Sequence, residues 1–446
     1  MNLALAKDAS QQEKQQIISI MKKYNVPGLA IAKLEKGDIQ WMGYYGKTAS
    51  GTPIAEDSIF NIASLTKPMF AMLWLKATQN TDIKLDTPLN AYWVDPDIQD
   101  DPRHKNLTAR LLLSHQGGFQ NWRGKNTLSI HFEPGTRIEY SGEGFEYLMR
   151  ALEKKTSKSM ASLMETHITS PLNMHHTFFG WNNSFNDNFV GGFDESGKVT
   201  NTDYLKNRDA NAACCTFTTL NDYTQFTRWI ANGAQGINKN MFKQAIKIQA
   251  QHENPAEYFG LSWRLITIED TLWLTHDGRE NGVRTLVMVN PKTGDGLVAL
   301  TNSDNGELIM RPIMTLTLSD SQRILHRMDL DVWQLLLSIP ASQQEGMLKF
   351  IARSPSFISK AMYAIQTALI EQSKLTKTQK DKAEKLIDRI VLGVQTQHLN
   401  AEDVFALFKQ LDDESDKGFR IKNSITEQEA LNWLKTLEKL AKKTQS

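Results

Sequence analysis

The sequence predicts an α+β protein: one antiparallel sheet built from the N- and C-terminal parts of a domain over 1–320, a helical subdomain against it, and a separate all-α C-terminal domain over 321–446. Three observations lead there. A β-hairpin is written near the N-terminus and another late in the first 320 residues, with mostly helical and loop sequence between them. Beyond about residue 320 the strand signals stop, and helical periodicity with Lys, Gln and Glu runs to the end.

Residues 11–24 read as an amphipathic helix, followed by a hairpin of 29–34 and 39–45 around a Lys36-Gly37-Asp38 turn. The late hairpin pairs 282–290 with 296–302 around Pro291-Lys292-Thr293-Gly294-Asp295. Segments 261–268 and 271–275 supply two more strands. In the last helix Thr426 and Glu429 make a capping-box pattern, and Leu431, Leu434, Leu437 and Leu440 form one stripe, read as core or bundle packing.

Composition narrows the function. With 51 Lys+Arg against 50 Asp+Glu, the net charge of +1 gives no electrostatic footprint for nucleic acid. No run approaches the roughly 20 apolar residues that cross a bilayer. The N-terminal apolar stretch is too short for a signal-peptide core, so a cytoplasmic location is the expectation, with a removed leader or leaderless export as the alternatives. Cys214 and Cys215 are adjacent, and neighbours bridge poorly, so both are expected as buried small hydrophobes without a disulfide.

Ser64 stands where a polar turn becomes an apolar helix, with Lys67 three residues on and on the same face. A serine hydroxyl needs a neighbour to take its proton, and a lysine does so when burial depresses its pKa. The helix N-terminus adds positive character beside the hydroxyl. Spacing alone is weak: Ser19 and Lys22 repeat it in a polar helix without supporting context. No His-Glu-x-x-His pattern and no phosphate loop after a strand occur, and the adjacent His175 and His176 do not make a ligand set, so no metal and no cofactor are expected.

Four ordered segments carry a resemblance. Ser58-Ile-Phe-Asn-Ile-Ala-Ser64-Leu-Thr-Lys67 resembles the nucleophile motif of the serine β-lactamase-related family, which joins class C β-lactamases, D-alanyl-D-alanine carboxypeptidases and family VIII-type esterases. Leu111-Leu-Leu-Ser-His115-Gln-Gly-Gly118 resembles its leucine-rich His-x-x-Gly segment. Phe132-Glu-Pro-Gly-Thr136 followed by Tyr140-Ser141-Gly142 resembles its Tyr-x-Asn motif, and Thr275-His276-Asp277-Gly278 opens the strand that usually carries Lys-Thr-Gly or His-x-Gly. The similarity spans about 27–315.

The resemblance implies a β-lactamase/transpeptidase-like fold and a covalent acyl-enzyme. Tyr140 would shuttle protons beside Lys67, as base in acylation or acid to the leaving group. His276 would replace the family's second cationic residue, and the backbone N–H groups of Ser64 and Arg279 would form the oxyanion hole. Lys292-Thr293-Gly294 spells the third motif literally but lies in turn chemistry and is rejected.

Three departures follow. Gly142 replaces the asparagine that binds an amide side chain, and Asp277 replaces a threonine that helps bind a substrate carboxylate. Gly142, Asp277 and Gly278 are therefore the substrate-pocket candidates, and a carboxylate at 277 disfavours β-lactams. Ala213-Cys214-Cys215-Thr216 stands where the family has Ala-Gly-Gly-Leu, and Thr219 or Asp222 then reads as a helix cap. The expected function is a serine hydrolase for a small-molecule or peptide ester or amide. The alternative is an impaired scaffold working through its C-terminal helices, by a protein partner or self-association.

Overall fold

The computed structural model describes residues 7–251, 258–338, 351, 355–395, 399 and 426–443. The chain forms two compact units, the first reaching Ser321 and the second running from Gln322.

Twelve strands are present among the described residues: β1 (Lys7–Asp8), β2 (Gly28–Glu35), β3 (Asp38–Gly46), β4 (Phe60–Asn61), β5 (Phe178–Phe179), β6 (Thr216–Thr218), β7 (Ala250–Gln251), β8 (Tyr258–Phe259), β9 (Arg264–Ile268), β10 (Thr271–Glu280), β11 (Val283–Val289) and β12 (Gly296–Thr301). Nine build the main sheet, in the order β1-β3-β2-β12-β11-β10-β9-β8-β7. All its pairings are antiparallel except the two-residue edge pair β1–β3. The first and last parts of the unit meet where β2 pairs β12, Ala30 opposite Leu300 and Ala32 opposite Val298. Both strands are buried along most of their length, because helices cover both faces of the sheet centre, which is why they read as near-continuous apolar runs.

The sheet departs from its expected outline at β10. The strand read over 271–275 and the strand opened by the Thr275-His276-Asp277-Gly278 motif are one continuous strand, β10, so the motif lies in its interior and does not start it. Exposed polar residues 277 and 279 alternate with buried 276 and 278 there, which preserves the period of two. A second sheet, β4-β6-β5, was not anticipated, since strands of two or three residues carry no periodicity.

The helix Thr66–Thr78 is the core of the helical part. Residues Thr66 to Leu75 are all buried, as an all-round apolar helix requires. It packs among Phe145, Leu148, Leu163 and Ile230 in the largest apolar cluster. In the second unit, helices Pro355–Gln372, Lys377–Gln395 and Glu427–Lys443 enclose their own core. The capping box is formed: Thr426 N–H donates to Glu429 Oε2 at 2.8 Å and Glu429 N–H to Thr426 Oγ1 at 3.2 Å. Leu434, Leu437 and Leu440 are buried within that core, so the leucine stripe is spent inside its own unit.

Candidate active site

Ser64 sits in a single helical turn, Ala63–Leu65, that runs straight into Thr66–Thr78. Ala63 is held at φ +46°, a conformation costly for a residue with a Cβ. Local bonds enforce it: Asn61 Oδ1 accepts from Ala63 N–H at 2.9 Å, and Thr66 Oγ1 donates to the Ala63 carbonyl at 2.8 Å. Such a turn projects the next side chain out of the helix path. β10 presses on the turn from one side. A Cβ on Gly278 would lie 2.4 Å from the Ile62 carbonyl oxygen, so only glycine permits this approach.

Lys67 is fully buried, and its Nζ lies 3.2 Å from Ser64 Oγ and 2.8 Å from the Ala213 carbonyl oxygen. The rings of Tyr140, Phe145 and Trp122 surround the amine at 4.7, 5.6 and 5.9 Å from their centroids. Burial drives its pKa down to about 7, against the opposing charges of Glu146 and Asp277. The free amine is therefore well populated near neutrality.

Tyr140 reaches the same cleft. Burial holds its phenol protonated well beyond neutral pH, while a hydrogen bond with the Ser64 side chain pulls the other way. Its ring lies 4.4 Å from that of His115, centroid to centroid, and 6.3 Å from that of His276. His276 Nδ1–H donates to the Asp277 carbonyl at 2.8 Å, which leaves Nε2 as an acceptor. Burial pushes its pKa down to about 4, so the imidazole is uncharged at neutral pH. His276 thus stands where the family has its second cationic residue, yet as a neutral ring, because desolvation outweighs the attraction of Asp277.

Ser64, Lys67, Tyr140, His276, Asp277 and Arg279 all line one cleft of about 860 Å³. Gly142 and Gly278, expected in the pocket, are not among the residues that line it: Gly142 packs behind the Trp122 indole and Gly278 against the Ile62 carbonyl. Arg279 directs its guanidinium to Glu307 and carries its backbone along β10 beside the nucleophile turn. Asp277 is half-exposed, 3.4 Å from Arg264. Lys292 lies in the β11–β12 turn, paired with Asp270. Ser19 and Lys22 are exposed on the helix Gln11–Lys23.

Three further contributors were assigned no role from the sequence. Glu146, one turn beyond Gly142 on the helix Gly142–Thr156, lines the cleft and accepts from Ala212 N–H at 2.9 Å. Burial raises its pKa to about 7. His115, also at positive φ, accepts on Nδ1 from Ser141 N–H at 3.1 Å, which fixes the proton on a buried, unpartnered Nε2. Desolvation keeps it neutral. Trp122 is 45% exposed and lies in the cleft wall. His115 was visible within the quoted His-x-x-Gly segment; the other two left no local signal.

Two sequence readings change. Cys214 and Cys215, both buried in the cleft wall, are joined in a disulfide, contrary to expectation. Cys215 at φ +66° departs from the extended zigzag that points successive side chains apart. Thr219 caps its helix, accepting from Asp222 N–H at 3.2 Å. The Asp222 side chain does not cap the helix: its Oδ2 accepts from His176 N–H at 2.7 Å and from the Thr177 hydroxyl at 3.0 Å.

Among the described residues no helix is long and apolar enough to cross a membrane. Comparison with known proteins agrees with the fold. The chain is 20% identical over 274 residues to a β-lactamase of Escherichia coli K12, covering 56% of this chain and 69% of that one. It is 28% identical over 176 residues to the D-alanyl-D-alanine-carboxypeptidase/endopeptidase AmpH of Escherichia coli K12, covering 34% of this chain and 45% of that protein. To protein flp of Staphylococcus aureus MRSA252 the identity is 22%, over 67% of this chain and 64% of the relative. The chain thus spans from under half to about two thirds of the length of these relatives.

Among solved structures, the octameric penicillin-binding protein homologue from Pyrococcus abyssi superposes with a TM-score of 0.62 at 17% identity, over 73% of this chain and 80% of that one. The D-alanine carboxypeptidase AmpC from Burkholderia cenocepacia gives 0.58 at 19% identity, over 70% and 97%. A sequence model of the Beta-lactamase family matches residues 14–313, more than half of the chain. The chain therefore belongs to the Beta-lactamase family, whose members are serine hydrolases.

Proposed function

We propose that the protein hydrolyses an ester or amide through an acyl-enzyme at Ser64, and that it is not an efficient β-lactamase. One observation carries the reading: a fully buried lysine amine, with its pKa pushed to about 7, lies 3.2 Å from the serine hydroxyl. The free amine accepts the proton as Ser64 Oγ attacks the substrate carbonyl carbon. The developing oxyanion faces the backbone N–H groups of Ser64 and Arg279. Tyr140, protonated at neutral pH, then donates to the leaving group and is recharged by the lysinium. Water repeats the attack and releases the acid. His276, neutral, orients the phenol and carries no charge to the substrate.

Substrate preference follows from charge. The three arginines of the cleft each have an acidic partner: Arg264 with Asp277, Arg208 with Glu280 and Arg279 with Glu307. A neutral or amine-bearing substrate suits such a lining better than a free carboxylate.

A fluorophosphonate probe tests the reading. Wild-type labelling that disappears in Ser64→Ala supports the enzyme, whereas an unlabelled wild type supports the scaffold alternative. Turnover of short-chain nitrophenyl esters should exceed that of nitrocefin, and efficient nitrocefin hydrolysis would refute the substrate preference.

A further inference from the structure

We propose that Cys214 and Cys215 are a redox-modification site in the wall of the cleft, cycling between a dithiol and the vicinal disulfide in response to peroxide and thiol reductants. The consequence for activity rests on the reading of Ser64 above; the modification itself does not.

The placement supports reactivity. Both residues line the cleft although they are only 7% and 2% exposed, so the route to the pair is the substrate cavity. A single guanidinium nitrogen, Arg208 Nη1, which also bonds Glu280 Oε2 at 3.1 Å, lies 3.5 Å from Cys215 Sγ and 3.8 Å from Cys214 Sγ. Positive charge beside a thiol favours the thiolate, which is the species that attacks peroxides and disulfides. The neighbouring sulfur is already in place to resolve the first product, which is the arrangement of a reversible thiol site.

The balance is simple. One thiolate attacks a peroxide oxygen, the O–O bond breaks, and a sulfenic acid and hydroxide form. The second thiol displaces the sulfenic oxygen, which leaves as water, and the S–S bond closes. Two thiols are oxidised by two electrons, and one hydrogen peroxide becomes two waters. A dithiol reductant reverses the change and departs as its own cyclic disulfide.

The backbone around the pair transmits its state. Lys67 Nζ bonds the carbonyl of Ala213, the residue next to Cys214, and Glu146 bonds the N–H of Ala212. Asn211 Oδ1 accepts from the N–H groups of Ala213 and Cys214, and the Cys215 carbonyl accepts from Gly180 N–H at 2.8 Å. Cys215 is held at φ +66°, unfavourable for any residue except glycine. A closed ring across the two side chains holds that conformation, and opening it lets the segment relax. The Ala213 carbonyl then shifts, and with it the amine that serves Ser64.

The experiment uses the full chain, reduced with dithiothreitol and then treated with hydrogen peroxide. Mass spectrometry should show a loss of two hydrogens localised to one peptide carrying both cysteines, regained on reduction. Fluorophosphonate labelling of Ser64 should be slower in the dithiol form by about threefold or more, since small displacements of a catalytic group cost that much or greater. The double variant Cys214→Gly, Cys215→Gly should label at a rate indifferent to reductant and oxidant. Persisting thiols, or over-oxidation without an intramolecular disulfide, would overturn the site. A cycling pair with an unchanged labelling rate would overturn its coupling to Lys67. Absence of labelling in every form, with the pair still cycling, would count against the reading of Ser64 and leave the modification site standing.

Discussion

The indole of Trp122 occupies the space into which any side chain at Gly142 would project: a Cβ built there would meet ring atoms at 2.7 to 2.9 Å. The loss of the family's asparagine and the presence of this tryptophan are therefore one structural choice. Gly142→Asn alone overpacks the site, at a cost of about 1–3 kcal/mol. Trp122→Ala in the same chain should relieve it. Chemical denaturation of both single variants and the double should give a coupling of about 1 kcal/mol or more, and strictly additive effects would show that the two positions do not compete.

Lys67 supplies a pH prediction. Only its free amine accepts the Ser64 proton, and burial brings its pKa to about 7. The fluorophosphonate labelling rate should rise with pH through that value and then level off. Lys67→Arg keeps a cation that does not deprotonate, so its labelling should stay low even in alkaline buffer. A pH-independent rate in the wild type would remove Lys67 from the role of base.

What could be read in advance divides along the distance over which each feature is encoded. Ser64 and Lys67 are three residues apart on one helical turn, and their convergence is a local consequence of helix geometry. The hairpins 28–46 and 283–301 were legible because alternation and turn chemistry are also local. The position of His276 was legible from its motif, but its charge was not. Neutrality there comes from burial by Tyr140 and neighbouring elements, which no short window contains. Glu146 and Trp122 enter the cleft only because the helix Gly142–Thr156 and the loop before it fold over Lys67. The bond between Cys214 and Cys215 coincides with a left-handed backbone at Cys215, and nothing in the letters Cys-Cys announces either.

Tyr140→Phe isolates the hydroxyl. The phenyl ring would retain the stack on His115 and the contact with the Lys67 amine, so stability should change little. Loss of the proton donor should lower ester turnover by about 10²–10⁴-fold. Turnover equal to wild type in a folded variant would show that the phenol is a bystander.

Lys67 and Glu146 together predict an unusual stability profile. Burial lowers the lysine from 10.5 to about 7 and raises the glutamate from 4.5 to about 7. Between pH 4.5 and 7 the unfolded glutamate is ionised while the folded one retains its proton, so the native state binds more protons and stability falls as pH rises. Between pH 7 and 10.5 the unfolded lysine is protonated while the folded amine is free, so stability rises with pH. Their two contributions leave a trough near neutrality. Glu146→Gln keeps an acceptor for the Ala212 N–H, and its stability advantage over wild type should grow from pH 4.5 to 7. Lys67→Met should show its largest advantage at and below pH 7, shrinking as pH approaches 10.5. Thermal denaturation of the three proteins across that range checks both slopes, and difference profiles that are flat in pH would mean that neither group is desolvated as the structure has it.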